Sequence, residues 1–405
     1  MPSLGKRLSV GAFAVIVSVS ANTSLPPVYS ITAHSLRDAG LQIGKSAATR
    51  IQGWFETDEM KGFRNFALGD GKDAFEAMKK ANKDAFPQIA DEIEGIAEGA
   101  NVSVDDVWLA NMLEELGNLR TRRGEHIDNT HCSDVYAISE KGYKGGFAQG
   151  HNEDWSDAVK PFWYFVELHP APGADFEFCA GHAYPAGLVG WATTWNSHGM
   201  YLTQNAVSPY NSTPGGLVSA FIQKEAICGE AGSKGLNGVI KSLTSRPWSE
   251  GASVNLVDLK AKRMANVELY EGEFAVTEVT EKMGNYSHFN MYKALKPGVL
   301  DPPQVSTLHR QARVDALPPS RSRKDVMDRL SDHHDEEYPI YRETTLVTFI
   351  LDGHAGRVDI WCCGTSASSG PEPFYSWNIW PFHTNKSDTP AKIDVPQEEQ
   401  IIVYA

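Results

Sequence analysis

The hydrophobic residues of this chain change their spacing once, near residue 130, and that change limits the folds open to it. Before it, Leu36, Ile43, Ala47, Ile51 and Trp54 fall on one helical face, and Ile89, Ile93 and Ile96 do so again just after Pro87. Each run predicts an amphipathic helix, the second opened by proline in its first turn. Ser103 and Asp106 have the spacing of a capping box, opening a third helix that buries Val107, Met112, Leu113 and Leu116. From Cys132 onward, short runs rich in β-branched and aromatic residues take over: DVYAI, FWYFVEL, FEFCAG, MYLTQNAV, SVNLVDL, ANVELYEG and FAVTEV. LVSAFIQKEAI and LNGVIKSL interrupt them with helical spacing, and TLVTFIL-DGHAG-RVDIWCC reads as a hairpin. A helical first part, then strands, a helix pair and strands again predicts an antiparallel α+β sandwich.

Composition narrows the function. The 405 residues are 41% hydrophobic and 22% charged, which suits a globular protein of one large or two ordinary domains. The net charge is -14, from 37 basic and 51 acidic residues, with no clustered Lys/Arg tract, so a nucleic-acid partner is excluded. Lys6 and Arg7 precede LSVGAFAVIVSVSA, with small residues at Val19 and Ala21. Residues 1–21 are therefore a candidate signal peptide, with a first strand or leader as the alternative; the run is too short for a membrane span. The secretory pathway or extracellular space is the expected location, and the cytoplasm the other. Sequons at Asn22, Asn101, Asn211, Asn285 and Asn385 permit glycosylation there. Five cysteines are too few for a disulfide scaffold of this size.

One of those cysteines stands apart. The polar linker RTRRGEHIDNT runs up to Cys132, at the head of a predicted strand. Were the preceding bond cut, an α-amine with a pKa of about 7.7–8.0 would sit beside the thiol, giving nucleophile and base in one residue. Spacing alone favours the ordinary alternative, a small buried apolar side chain.

Four segments in order then carry a resemblance: CSDVYAI followed by GHNEDW, AGLVGWATTWNSHGMYLTQNAV, SHFNMYKAL, and STLHRQAR. Through them the chain, from about Val28 to Trp377, resembles the acyl-coenzyme A:isopenicillin N acyltransferase family of N-terminal-nucleophile (Ntn) cysteine hydrolases. The resemblance implies an αββα sandwich, two antiparallel sheets between helical layers. It implies self-cleavage of His131–Cys132 into a helical segment (22–131) and a catalytic segment (132–405) that stay associated. Cys132 would be the nucleophile and Asp154 the carboxylate holding the freed α-amine. Asn205 and Asn290 would supply or orient oxyanion-hole donors, and Arg310 would be a cation near the thiol, favouring the thiolate. The implied activity is hydrolysis of a small N-acyl amine, such as a β-alanyl biogenic amine, through a thioester. Acyl transfer to an amine is the alternative and an uncut binding protein the third reading. No cofactor or metal is expected.

The sequence departs from the family at three positions. His131 stands where glycine is common, His151 where arginine is, and Asp134 where a hydroxyl residue is. Each site residue also has an ordinary reading: asparagines bond backbone at turns, and Arg310 suits a surface. His151 and Asp154 have metal-ligand spacing only on a helix, and the flanking strand signals make GHNED extended. DHHDEE at 332–337 reads as a solvated loop. Cys362 and Cys363, adjacent in a strand, should face opposite ways. Trp155, Trp163, Trp191 and Trp195 could wall a substrate pocket, although at least two should fill the core.

Overall fold

The computed structural model describes residues 25–125, 132–283, 286–302, 304–370 and 372–382. His131, residues 1–21 and the sequons at Asn22, Asn285 and Asn385 lie outside them; Asn101 and Asn211 are exposed. The chain enters through a strand, β1 (Val28–Ala33), ahead of seven helices. These are α1 (Leu36–Ser46), α2 (Ala48–Phe55), α3 (Asp58–Leu68), α4 (Lys72–Ala85), α5 (Pro87–Ala100), α6 (Val104–Ala110) and α7 (Leu113–Arg122). Six strands follow: β2 (Ser133–Ile138), β3 (Phe147–Asp154), β4 (Tyr164–Pro170), β5 (Cys179–Ala183), β6 (Thr194–Asn196) and β7 (Met200–Ala206). After α8 (Ser219–Cys228), α9 (Glu230–Ser233) and α10 (Gly235–Thr244) come β8 (Gly251–Asp258), β9 (Arg263–Tyr270), β10 (Glu273–Val279) and β11 (Tyr286–His288). The last elements are α11 (Val305–Asp315), α12 (Arg323–Leu330), β12 (Thr345–Asp352), β13 (Arg357–Cys362) and β14 (Tyr375–Asn378).

Local chemistry accounts for the helix ends. Pro87 opens α5, where its missing N–H costs nothing. Ser103 caps α6, but through the Asp105 N–H; Asp106 turns outward to bond Arg64 at 2.7 Å. The expected third helix is broken in two at Asn111. Its amide donates to the Val107 and Ala186 carbonyls (2.8 and 2.9 Å) and its Oδ1 accepts from Leu188 N (2.8 Å), fixing α6 to the strand layer. Helices α1 and α5 touch backbone to backbone, since a Cβ on Gly95 would lie 2.3 Å from the Arg37 carbonyl oxygen.

The strands form an eight-stranded sheet, β1-β4-β5-β6-β7-β8-β9-β10, and a six-stranded sheet, β11-β2-β3-β12-β13-β14. Every pairing is antiparallel except β1 with β4, which runs parallel from Val28↔Phe165. The expectation of purely antiparallel sheets is corrected at this edge. More than a hundred residues, including the whole helical segment, separate β1 from β4, so no hairpin dictates their direction.

Helices α8 and α10 cover the outer face of the large sheet, and α11 and α12 that of the small one. Between the sheets Phe165 meets Phe349 at 6.3 Å, and the Tyr136 hydroxyl donates to Asn255 at 2.7 Å. The fold is thus an αββα sandwich. The helical segment packs outside α8, with Trp108 stacked on Phe221 at 5.1 Å. A second core, under α12, contains Val135, Ala137, Val326, Leu330 and Ile350. A disulfide, Cys179–Cys228, ties β5 to the end of α8. The reading of Cys362 and Cys363 is also corrected: the strand ends at Cys362, Cys363 turns to a φ of 61°, and the two sulfurs come within 2.8 Å. Among the described residues no helix is long and apolar enough to cross a membrane.

Candidate active site

The site grows from the pairing of β2 with β3. Ser133 lies across from Asn152 and Asp134 from His151; continuing the register by one sets Cys132 across from Glu153. Alternation along each strand then divides the side chains between two faces. Cys132, Asp134, His151 and Glu153 point into the sandwich. Ser133, Asn152 and Asp154 point to the helices α11 and α12.

On the inner face the thiol is buried, at 4% exposure, with its Sγ 3.7 Å from Glu153 Oε1. His151 lies between two carboxylates, its Nδ1 2.7 Å from Asp134 and its Nε2 3.1 Å from Glu153. Burial works against charge on the imidazole, but Asp134 and the surrounding hydrogen bonds outweigh it and hold the pKa well above the usual value. Glu153 is buried too, and the same imidazolium keeps its carboxyl below the ordinary carboxylate range. Burial, reinforced by Glu153 and opposed by His151, pushes the thiol up to about 12. In the intact chain Cys132 is therefore held as a neutral thiol.

Asp134 is the hub of this face. Besides His151 it accepts from the Thr203 hydroxyl at 2.6 Å, from Asn205 Nδ2 at 2.8 Å and from Gln149 Nε2. Asn205 Oδ1 accepts in turn from Asn255 at 2.8 Å. Asn205 is thereby locked into the support behind His151. The His151 imidazolium is oriented by a carboxylate at each ring nitrogen.

On the outer face Arg310, fully buried on α11, makes at least five hydrogen bonds. Its Nη1 donates to the Cys132 carbonyl (2.7 Å) and the Ser133 hydroxyl (2.9 Å), and its Nη2 to Asn290 Oδ1 (2.9 Å). Arg310 thus binds the main chain of the cysteine, where the sequence pointed to the thiol; the pleat puts Sγ on the other side. Asn290 Nδ2 donates to the Ala206 carbonyl at 2.9 Å. The loop that carries Asn290 is clamped by Glu268, which accepts from the N–H groups of Lys293, Ala294 and Leu295 (2.6, 2.8 and 2.6 Å) and from His288 (2.8 Å).

Asp154 is also on this face. Its Oδ1 accepts from Thr345 at 2.5 Å, while the buried Oδ2 has no hydrogen-bond partner among the described residues and faces Arg342 Nε at 3.4 Å. Burial raises this carboxyl to about 6, against the pull of Arg342 and Thr345.

A narrow cleft with an open volume of about 10 Å³ lies at the thiol, lined by Glu114, Cys132, Glu153, Trp155, Tyr184, Trp191, Ala192 and Gln204. Of the four tryptophans considered, Trp155 and Trp191 line it, whereas Trp163 packs on His182 and Trp195 on Trp377 inside the core. The sequence points to neither Glu114 nor Glu153, and marks Asp134 only as a departure from the family. Asp134 and Glu153 share the period-two face of Cys132 and His151, a signal present in CSD and HNED; Glu114 comes from α7 and left none.

One ligand atom each from Cys132, His151 and Glu153 lies within 4.8 Å of the others, a sulfur, nitrogen and oxygen set suited to a zinc-like ion. His151 and Asp154, the pair considered from the sequence, project from opposite faces. DHHDEE is a loop in which Asp332 accepts from Arg313 and Asp335 from His309.

The acyl-coenzyme A:6-aminopenicillanic acid acyl-transferase family matches residues 141–366, more than half of the chain. The chain belongs to that family. This acyl-transferase family member is similar to the β-alanyl-dopamine/carcinine hydrolase of Drosophila melanogaster, at 24% identity over 291 residues covering 67% of this chain and 73% of that one. Penicillin V acylase from Agrobacterium tumefaciens aligns at 11% identity and a TM-score of 0.36, over 58% of this chain and 84% of its own. A mutant of conjugated bile acid hydrolase from Clostridium perfringens aligns at 11% and 0.34, over 57% and 89%. Both TM-scores are too low to bear on the site. Family membership supports an amide hydrolase or acyltransferase. The match begins after Cys132.

Proposed function

We propose that this family member is a self-processing cysteine amidohydrolase that cleaves small N-acyl amines, such as β-alanyl conjugates of biogenic amines, through a thioester at Cys132. The observation that carries this reading is Asp154 Oδ2, a buried carboxylate oxygen with an ion pair to Arg342 at 3.4 Å but without a hydrogen-bond partner among the described residues, on the face where Arg310 binds the Cys132 carbonyl. A buried acceptor of this kind is costly unless a donor completes it. The α-ammonium created by cutting His131–Cys132 is a donor of the right charge.

With that amine free, the reaction balances within one residue. The amine takes the thiol proton, Sγ attacks the amide carbon, and the C–N bond breaks as the resulting ammonium protonates the leaving amine. Water then attacks the thioester, gives its proton back through the α-amine, and releases the carboxylic acid and the thiol. His151 favours negative charge on the sulfur. Asn205 and Asn290 act by orientation: the first holds Asp134 behind His151, the second anchors Arg310 on the Cys132 carbonyl. The relative from Drosophila, named for β-alanyl amides, supports the substrate class. An amine in place of water would make the same thioester an acyl donor.

Intact mass and denaturing electrophoresis of purified enzyme test the processing step. Two fragments, one ending at His131 and one beginning at Cys132, are expected; a single full-length species with full activity sinks the proposal. Assays on a panel of N-acyl amines, with and without an amine acceptor, separate hydrolysis from transfer.

A further inference from the structure

The cavity at the thiol has an unusual wall. Trp155, Tyr184 and Trp191 form a three-ring corner, with centroids 4.9 Å (Trp155–Tyr184), 5.4 Å (Tyr184–Trp191) and 6.4 Å (Trp155–Trp191) apart. The polar groups beside them are Glu114, Glu153 and Gln204. Among the described residues no Lys, Arg or His lines this cavity. Glu153 is already committed to His151 and to the Tyr184 hydroxyl, which donates to it at 2.6 Å. Glu114 is not ion-paired among the described residues. It is held from behind by neutral donors, Gln204 Nε2 at 2.6 and 2.8 Å and the Ser219 hydroxyl at 3.1 Å, and keeps part of its surface open to the cavity. Gln204 is itself braced by Gln223 Nε2.

Aromatic faces attract cations, and a carboxylate fixed by neutral donors in a closed space is completed by one. An acyl group bonded to Sγ must occupy the space into which Sγ points, because the amine half leaves. We propose that Glu114 is the specificity residue for the acyl half, binding a primary ammonium a few bonds from the scissile carbonyl against the Trp155–Tyr184–Trp191 corner. This rests on the reading of Cys132 as nucleophile. Burial, with Glu115 beside it, raises the Glu114 carboxyl to about 8, so the empty cavity avoids an isolated charge and an arriving ammonium displaces the proton.

The test uses processed, full-length enzyme in two arms. In the first, kcat and KM are compared for the β-alanyl and butanoyl amides of one amine, which differ by ammonium against methyl. Wild type should prefer the β-alanyl amide, and Glu114→Gln should shrink the preference by about ten- to a hundredfold, chiefly through KM, the range of one charge-assisted hydrogen bond. Glu114→Asp, which retains the charge, should recover part of it. In the second arm, the labelling rates of Cys132 by aminoethyl and ethyl methanethiosulfonate are read by mass spectrometry. The cationic reagent should react faster with wild type, and the advantage should vanish in Glu114→Gln. A preference or labelling ratio that Glu114→Gln leaves intact overturns the assignment of Glu114. Loss of turnover on both amides, with the labelling ratio unchanged, overturns it as well and makes Glu114 structural. Absence of labelling at Cys132 by either reagent overturns instead the nucleophile on which the proposal stands.

Discussion

On the inner face of β2 and β3, Asp134, His151 and Glu153 form a row of alternating charge around one thiol. On the outer face, Ser133, Asn152 and Asp154 meet hydrogen-bonding partners from α11, α12 and β12. The pleat sends the side chain of Cys132 to the first and leaves its main chain to the second. Groups that set the reactivity of the sulfur are therefore separated from groups that hold the backbone, although all belong to two adjacent strands. The inner row suits a site where charge must be tuned without water. The outer set suits one where a chain end must be held still.

The largest expected effect is on the inner face. Cys132→Ser should lower turnover of a β-alanyl amide by at least about a thousandfold, because a hydroxyl is a weak nucleophile without strong activation. Cys362→Ser and Cys363→Ser should remain close to wild type in the same assay. Next comes His151→Gln, which leaves Asp134 and Glu153 buried without their cation. Stability should fall by about 3–5 kcal/mol in denaturant titration, and His151→Arg should recover most of the loss. If both substitutions were equally harmful, steric fit rather than charge would govern this face.

The outer face should respond differently. Asp154→Asn should cost about ten- to a hundredfold in kcat with little change in the unfolding midpoint. Burial raises this carboxyl to about 6 in the uncut chain, so its ionised form is present above that pH, and the rate of self-cleavage should fall as pH drops through it. That acid limb should be missing from the Asp154→Asn profile. A stability loss matching that of His151→Gln would erase the contrast between the faces.

Two smaller effects sharpen it. Glu268, at about 2, is held far below the usual value because His288 and the N–H groups of Leu295 and Lys293 outweigh its burial. A depressed carboxyl stabilises the fold above its unfolded pKa of 4.5, and the contribution is lost as pH falls toward 2. Glu268→Gln should therefore cost roughly 2–3 kcal/mol at neutral pH and flatten the stability–pH curve between those limits. Smallest of all, EDTA should leave wild-type turnover unchanged. Added zinc should inhibit reversibly through Cys132, His151 and Glu153, and His151→Gln should weaken that inhibition.

Much of the architecture is legible in the sequence, because period two and period 3.6 are properties of single elements. GHNED could be read as extended, and Cys132 stands out at a linker–strand junction. β1 is harder to see: VYSITA is short, precedes a helical run, and is stabilised by a partner more than a hundred residues away. The role of Arg310 depends on which side of the pleat faces α11, and a motif carries no such information. Asp134 and Glu153 alternate with Cys132 and His151 along CSD and HNED, but that both meet His151 follows only from the β2–β3 register. Glu114 is brought to the thiol by the packing of α7 against β7 and α8, which no local pattern encodes. Ser103 and Asp106 show the reverse failure: the box spacing is present, but Arg64 captures Asp106.

The cavity at the thiol draws its walls from both sides of the segment 126–131. Glu114 precedes that segment; Cys132, Glu153 and the aromatic corner follow it. The two stretches therefore build one composite wall. A chimera that takes residues 22–125 from a relative would carry that relative's residue at position 114 while retaining the thiol and its charge row. If Glu114 selects the acyl group as proposed, such hybrids would change that selectivity with Cys132 unaltered.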